Sequence, residues 1–469
     1  MTEGPTPDPG QKRAVPRLGR SGIITMVGLC FAVGLSDGQN AAFSQATESF
    51  KHAFHINDAA LGTIPLAIGL VANLSAFGVA ALCDRHRRTA VLAGLYGAWG
   101  VLQFSTGLAR AIHVSVGGLQ LTVGGFAVFF ALSLIAAPAN ATDPAALPLL
   151  ADYYPMSIRA KTISIYQAGS AVGGFMGLAV GGFLVDRYGW QPTCYMWLPF
   201  GLLGAALMRT RPEPERGAQD AAFYDDLRRL EENMAAAVVH AERHRQSNVR
   251  RREIFQEILR VRSFRLICFG IGVAGIMQTA TMFWGTAYFK RTFHLSGVQV
   301  AGLAPVIGAG ALVGVLFGGS IADRLLRKGV VLARVYVTAA GFIFAALASI
   351  AAFSVHALVL AAVGLAFSST GYALTVGPGS AILLDVIPVP LRSEASAVTD
   401  LVQFVSAVGT PVVGLISTLL GDNLRIALLL VSPIYAVGGM LVLIGRGTYL
   451  ADLDAVVTGA HDEREQGAQ

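Results

Sequence analysis

The chain has 469 residues, of which 54% are hydrophobic and only 14% charged, with a formal net charge of +6. A soluble protein carries about 25% charged residues, so a chain this apolar takes the bilayer as its solvent. These values exclude a cytosolic enzyme, a disulfide-built secreted domain and a disordered chain. The basic residues are spread along the sequence and do not gather on one polar domain, which argues for membrane topology and against nucleic-acid binding.

In chain order, a polar, proline-rich tail (1–20) comes first. Apolar stretches long enough to cross a bilayer follow at about 22–47, 57–82, 89–109, 119–150, 160–185 and 191–209. A polar segment (210–262) mixes opposite charges at helical spacing and reads as amphipathic helices beside the membrane. Six more spans follow at 264–289, 298–322, 331–353, 356–385, 393–419 and 424–445, then a polar tail (447–469). The expected architecture is an all-α membrane protein with twelve transmembrane helices in two six-helix pseudo-symmetric halves, 21–209 and 263–446. With the N-terminus cytoplasmic, Arg85 to Arg88 and Arg324 to Lys328 fall on the inside, so both termini are placed there. High Ala/Gly and four scattered cysteines fit a bacterial inner membrane.

The halves repeat one another. After span two the chain reads Asp84-Arg85-His86-Arg87-Arg88, and after span eight Asp323-Arg324-Leu325-Leu326-Arg327. After span four come Asp152 and Arg159, and after span ten Asp385 and Arg392. Matching motifs at matching topological positions mark secondary transporters. The chain resembles the major facilitator superfamily, whose short-loop motif G-x-x-x-D-R-x-x-R-[KR] the second copy matches throughout. The first copy has Ala80 for the glycine and Thr89 for the last basic residue. Asp37 in span one, Phe54 to Asp58 before span two and the tract Pro144 to Ile158 are similar to the spinster-like branch of lipid transporters. Gly38 stands where that branch has an arginine, and the stretch Leu132 to Asn140 of span four lacks the arginine or glutamate that its relatives carry there. The resemblance implies an inner gate built from Asp84, Arg85, Arg88, Asp152, Arg159, Asp323, Arg324, Arg327, Asp385 and Arg392.

An ionisable group deep in a span costs about 2.5–3.5 kcal/mol to insert, so it faces a cavity or a partner. Asp37, Asp143 and Asp400 qualify, and no lysine or arginine sits deep in a span beside them; they are the expected proton carriers. Gln39, Asn40, Asn140, Tyr166, Gln167, Gln278, Trp284, Tyr288, Tyr372 and Gln403 are the candidate cavity residues. They are neutral hydrogen-bonders and aromatics without an arginine clamp, which points to a largely apolar or amphiphilic organic substrate. The resemblance implies a lipid-like one, and proton-coupled, outward movement by alternating access is expected. A drug or organic-acid transporter of the same fold and a non-transporting membrane sensor are the alternatives. No catalytic constellation, phosphate-binding loop, cofactor motif or metal-ligand spacing is found, and a monomer is expected. Gly169, Gly173, Gly177 and Gly181 leave one face of span five almost bare, a surface for close helix packing.

Overall fold

The computed structural model describes residues 20–110, 112–116, 119–154, 156–214, 258–387, 399, 402 and 404–467. The tail before residue 20 and the segment 215–257 lie outside these residues. In the N-terminal half, span one is Arg20–Phe54, span two Asp58–Arg85, span three Arg88–Thr106 and span five Met156–Tyr188. Span four is two helices, Gly125–Ala136 and Asp143–Tyr153, joined by a 3-10 turn at Ala137–Asn140. Span six is Gln191–Tyr195 continued by Trp197–Arg209. The second half repeats the order. Arg262–Phe293, Gly297–Arg327 and Ala333–Ser354 form spans seven to nine, and Leu358–Leu374 with Val376–Asp385 a broken span ten. Span eleven is described from Phe404 through Gly409–Leu419, and span twelve is Leu424–Val431 with Ile434–Gly467.

The expected twelve-span, two-half architecture is what the chain adopts, with one departure. Residues 119–123, read as the start of span four, pair as a strand instead. β1 (Ile112–Val116) and β2 (Leu119–Val123) form an antiparallel hairpin with Ile112 opposite Val123 and Val116 opposite Leu119. The reason is legible afterwards: both stretches alternate apolar and polar residues around Gly117-Gly118, a period of two that a helix cannot use.

Local signals fix the span ends. The Asn57 side chain accepts the N–H of Ala60 and caps span two, and Ser296 with Gln299 makes a full capping box on span eight. His55 and His294, at equivalent places in the two halves, both adopt left-handed backbone with φ of 52° and 55°. They sit in Phe54-His55-Ile56-Asn57 and Phe293-His294-Leu295-Ser296, a third internal repeat.

The glycine stripe of span five packs directly on span one. A Cβ at Gly173 would stand 1.9 Å from the Gly34 carbonyl oxygen, and one at Gly177 would stand 2.0 Å from that of Gly38. Outward-facing apolar side chains such as Phe77 (75% exposed) and Leu316 (63% exposed) form a surface that only lipid would cover.

Candidate functional site

Two ends of the molecule behave differently. The end that carries the start of span one and the loops at 85–88 and 327–333 is here the terminal face, the opposite end the distal face.

At the distal face the halves are fastened together. Arg291, at the end of span seven, donates to both Asp58 oxygens at 2.6 and 2.8 Å and to Glu48 at 2.7 Å. Lys51 bridges Asp58 at 3.2 Å and Asp422 at 3.0 Å, and the Ser417 hydroxyl donates to Asp58 at 2.7 Å. Asp58 is fully buried, so its charge depends on these partners. Beside this cluster, Asp186 of span five accepts the N–H groups of Gly297 and Val298 at 2.9 and 3.1 Å. That carboxylate sits where the dipole of span eight is positive. Lys290 donates to the Gln45 carbonyl at 2.8 Å, and Ser44 to the Phe283 carbonyl at 2.7 Å. Glycine makes the approach possible: a Cβ at Gly182 would stand 2.7 Å from the Gly297 carbonyl, and one at Gly414 would stand 2.3 Å from that of Asp58. Beneath the ions lies an aromatic plug of Phe43, Phe50, Phe54, Phe129 and Trp190, which Phe283 of the other half joins at 5.7 Å from Phe43.

At the terminal face the described ion pairs stay within each half. Arg88 pairs with Asp152 at 2.6 Å and with Glu213 at 2.9 Å, and Glu213 also accepts the N–H groups of Arg88 and Thr89. Burial pushes the Glu213 carboxyl up, but the Thr89 N–H and the Arg88 guanidinium outweigh it and hold the group below its usual range. Tyr153 donates to the Pro212 carbonyl. In the other half Arg334 pairs with Asp385 at 2.5 Å, and Tyr449 donates to the same carboxylate at 2.9 Å. Asp84, Arg85, Asp323, Arg324 and Arg327 are exposed at the ends of spans two and eight. Arg392 lies outside the described residues, and Arg159 is on span five without a described side chain.

Between the two faces, spans four and ten are broken at corresponding places, around Pro138 and around Thr375. Interrupted spans at matching positions of two halves point to the binding site. Around the first break the chain assembles carboxylates. Asp143 opens the second piece of span four, is exposed, and accepts the Tyr166 hydroxyl at 2.8 Å. Asp37 of span one is half-buried, with the Ser170 hydroxyl beside it and Asp143 within electrostatic reach. Among the described residues no lysine or arginine forms an ion pair with either. Asn140 accepts the Trp99 indole N–H at 2.8 Å. Gly38 has no room for a side chain, since a Cβ there would stand 2.5 Å from the Trp197 ring, which accounts for the missing arginine.

Beside the second break the groups are neutral. Gln278 accepts the Tyr435 hydroxyl at 2.7 Å, and the Tyr372 ring lies 6.0 Å from both Tyr435 and Phe342. Gln39 is half-buried and Asn40 exposed on span one. Trp284 and Tyr288, expected in the cavity wall, are instead fully buried within the second half. Their polar atoms donate to the Thr410 and Ala352 carbonyls at 2.9 and 3.4 Å, so here they tie helices together. Asp400 and Gln403 lie outside the described residues, and Gln167 is on span five without a described side chain.

Sequence reasoning missed the distal fastening. Nothing local in the sequence singles out Arg291, Lys51 or Lys290, and Asp58 stands there only within the polar stretch Phe54 to Asp58 before span two. Their partners stand as far as 371 residues away, from Lys51 to Asp422, beyond any local pattern.

Two six-span bodies whose described residues are fastened at the distal end, with spans interrupted at matching positions of the two halves, have the architecture of secondary membrane transporters. The sequence pattern of the Major Facilitator Superfamily matches residues 29–411, and the chain belongs to that family. It is an integral membrane transporter of small molecules and not an enzyme. Among solved structures, a bacterial homologue of the human lysosomal transporter Spinster, inward-facing and occupied, superposes with a TM-score of 0.69. Sequence identity is 17%, over 91% of this chain and 97% of that one. Its inward-facing, unoccupied form gives 0.66 at 17% identity, over 92% and 97% of the two chains. A D-xylose–proton symporter gives 0.62 at 15% identity, over 90% and 97%. No curated protein matches the sequence.

Proposed function

We propose that this transporter moves an amphiphilic, lipid-like organic molecule outward by alternating access, coupled to protons, with Asp37 as the main proton carrier and Asp143 second. The observation that carries this reading is the meeting of the two carboxylates across spans one and four, with Tyr166 and Ser170 as hydrogen-bonding neighbours and no described cation paired to them. A carboxylate within a span is expensive to keep charged, and Asp37, half-buried with no described cation paired to it, can take up and release a proton as access alternates. Asp400 is the third candidate. The cavity residues around the two breaks offer amide, hydroxyl and aromatic groups, a lining suited to a molecule with a long apolar part and a small polar head. The similarity of Asp37, Phe54 to Asp58 and the tract Pro144 to Ile158 to spinster-like lipid transporters supports the same choice of substrate.

In this reading the terminal face is cytoplasmic, in a bacterial inner membrane, with both tails and the 210–262 segment on that side. The conformation described is then open to the inside. When the distal fastening opens, the ends of spans two and eight close, and Asp84, Arg85, Arg88, Asp152, Arg159, Asp323, Arg324, Arg327, Asp385 and Arg392 form the inner gate between the halves.

The test is flux of a labelled lysophospholipid in proteoliposomes under a proton gradient, wild type beside Asp37→Asn. Flux that collapses in the variant supports both substrate class and carrier. Equal flux in both moves coupling to Asp143 or Asp400. No wild-type flux of lysophospholipid, with flux of a small drug or organic acid, replaces the substrate class. Binding without any flux would make the protein a sensor.

A further inference from the structure

The second half contains a hydrogen bond whose direction matters. Gln278 of span seven is half-buried, at the level of the break in span ten, and its Oε1 is 2.7 Å from the hydroxyl of Tyr435 in span twelve. Tyr435 is 1% exposed, so its hydroxyl needs a partner inside the protein. A separation of 2.7 Å is usual for O–H···O and short for N–H···O, so the phenol donates and the amide oxygen accepts. Nearby, Ser349 donates to the Ala345 carbonyl at 2.8 Å, which leaves Ser368 to donate to Ser349 at 2.6 Å. Ser368 also lies within hydrogen-bonding reach of the phenol, and the amide carbonyl, a stronger acceptor than a hydroxyl, takes the phenol proton.

An amide held by its oxygen cannot flip, and its two N–H donors must point away from Tyr435. No described residue takes those donors. The Tyr372 ring flanks the same place, held by Tyr435 on one side and Phe342 on the other.

We propose that Tyr435 is a positioning residue that locks the Gln278 amide so that its N–H pair grips an oxygen acceptor on the substrate's head group. This rests on the transport reading above and adds to it the chemistry of the head: a hydroxyl, carboxylate or phosphate oxygen, bound on the second half and away from the carboxylates of the first. Tyr435 itself touches no substrate. Its effect passes through Gln278, so removing the hydroxyl matters only while the amide is present.

The experiment measures binding to the full chain in lipid nanodiscs by calorimetry, at one pH, with four short water-soluble probes. They are 1-hexanol, hexanoate and hexyl phosphate, which carry the three kinds of oxygen acceptor, and hexyltrimethylammonium, which carries none. The variants are Tyr435→Phe, which keeps the ring and its packing, Gln278→Glu, which keeps the size and removes the donors, and the two together. One hydrogen bond to a neutral or charged group corresponds to a loss of about three- to thirtyfold in affinity. Gln278→Glu is expected to weaken the preferred oxygen-headed probe by about tenfold or more, and Tyr435→Phe by about fivefold. The double variant is expected to be no weaker than Gln278→Glu alone, and Tyr435→Phe, which leaves the charge unchanged, to bind the ammonium probe as wild type does. The probe that loses most identifies the head group.

The proposal is overturned by no oxygen-headed probe binding to wild type, by Tyr435→Phe weakening all four probes alike, or by the two substitutions adding fully. A positioning effect seen with the probes but no lysophospholipid flux would leave this assignment standing and remove the lipid substrate. A lower melting temperature in Tyr435→Phe with unchanged probe affinities would make the tyrosine a packing residue only.

Discussion

The two ends of the interface between the halves are built from the same residue types and do opposite things. At the distal face Arg291, Lys51, Glu48, Asp58 and Asp422 bind across the halves. At the terminal face Arg88 with Asp152 and Arg334 with Asp385 bind within them. A charged loop is therefore no guide to which state a transporter rests in; only the partner of each charge is. The difference also says what opening costs, because the distal cluster contains a carboxylate with no exposure to water, whereas the terminal pairs remain 6–27% exposed.

The largest way to break this contrast is Arg291→Ala, which leaves Asp58 buried with Lys51 as its only cation. Losing one partner of a buried pair costs about 3–5 kcal/mol, so the distal seal is expected to open. A reporter cysteine at Ser44, in a background without the four native cysteines, should change from protected to reactive toward a polar maleimide. Continued protection would mean that the aromatic plug and the glycine contacts hold that end alone.

A smaller effect tests whether each half moves as one body. Gly177→Leu pushes a side chain into the Gly38 carbonyl and should lower stability by about 1–3 kcal/mol, a forced-overpacking value. Gly174→Leu, three residues away with nothing within 4 Å of its Cβ position, should melt as wild type does. Equal melting of the two variants would show that spans one and five separate freely.

At the terminal face, Glu213→Gln removes a charge-assisted contact and should cost about 1 kcal/mol near neutral pH. Because the folded carboxyl is held below its ordinary value of 4.5, its contribution is present above that value and lost as pH falls through the lowered folded one. Melting curves of wild type and variant should thus differ at pH 7 and converge in acid; a gap that persists there would assign the effect to packing. The smallest change is Asn57→Ala, the loss of one helix cap, worth about 1 kcal/mol. It should loosen the backbone at the start of span two, seen as faster amide exchange at Ala60.

Much of the fold was legible because its signals are local and repeated: apolar length, the Asp-Arg loops, the glycines four apart in span five. Period-two alternation between residues 112 and 123 was equally local, yet apolar content hid it inside a span that began too early. The breaks in spans four and ten were marked by Pro138 and Pro378, which composition alone does not separate from a continuous helix. The site was less legible for a physical reason. Asp37 and Asp143 stand out because carboxylates are expensive in a span. Arg291 and Asp58 do not, because each lies near a span end where charge is ordinary, and their pairing is a fact of tertiary structure. Trp284 and Tyr288 failed as cavity residues since a polar tip on a large ring suits a backbone carbonyl as well as a ligand.

The segment between the halves is pinned at both of its attachments. Glu213 holds its start to span three, and Asp452 accepts the N–H of Ser263 at 2.9 Å where span seven begins. Between residues 214 and 258 run 43 residues, a contour of about 150 Å at roughly 3.5 Å each. That is several times the thickness of a bilayer core of about 30 Å. A covalent link of that sequence length could follow the halves through any angle between them. Whatever restrains the swing is the contacts between the bodies themselves.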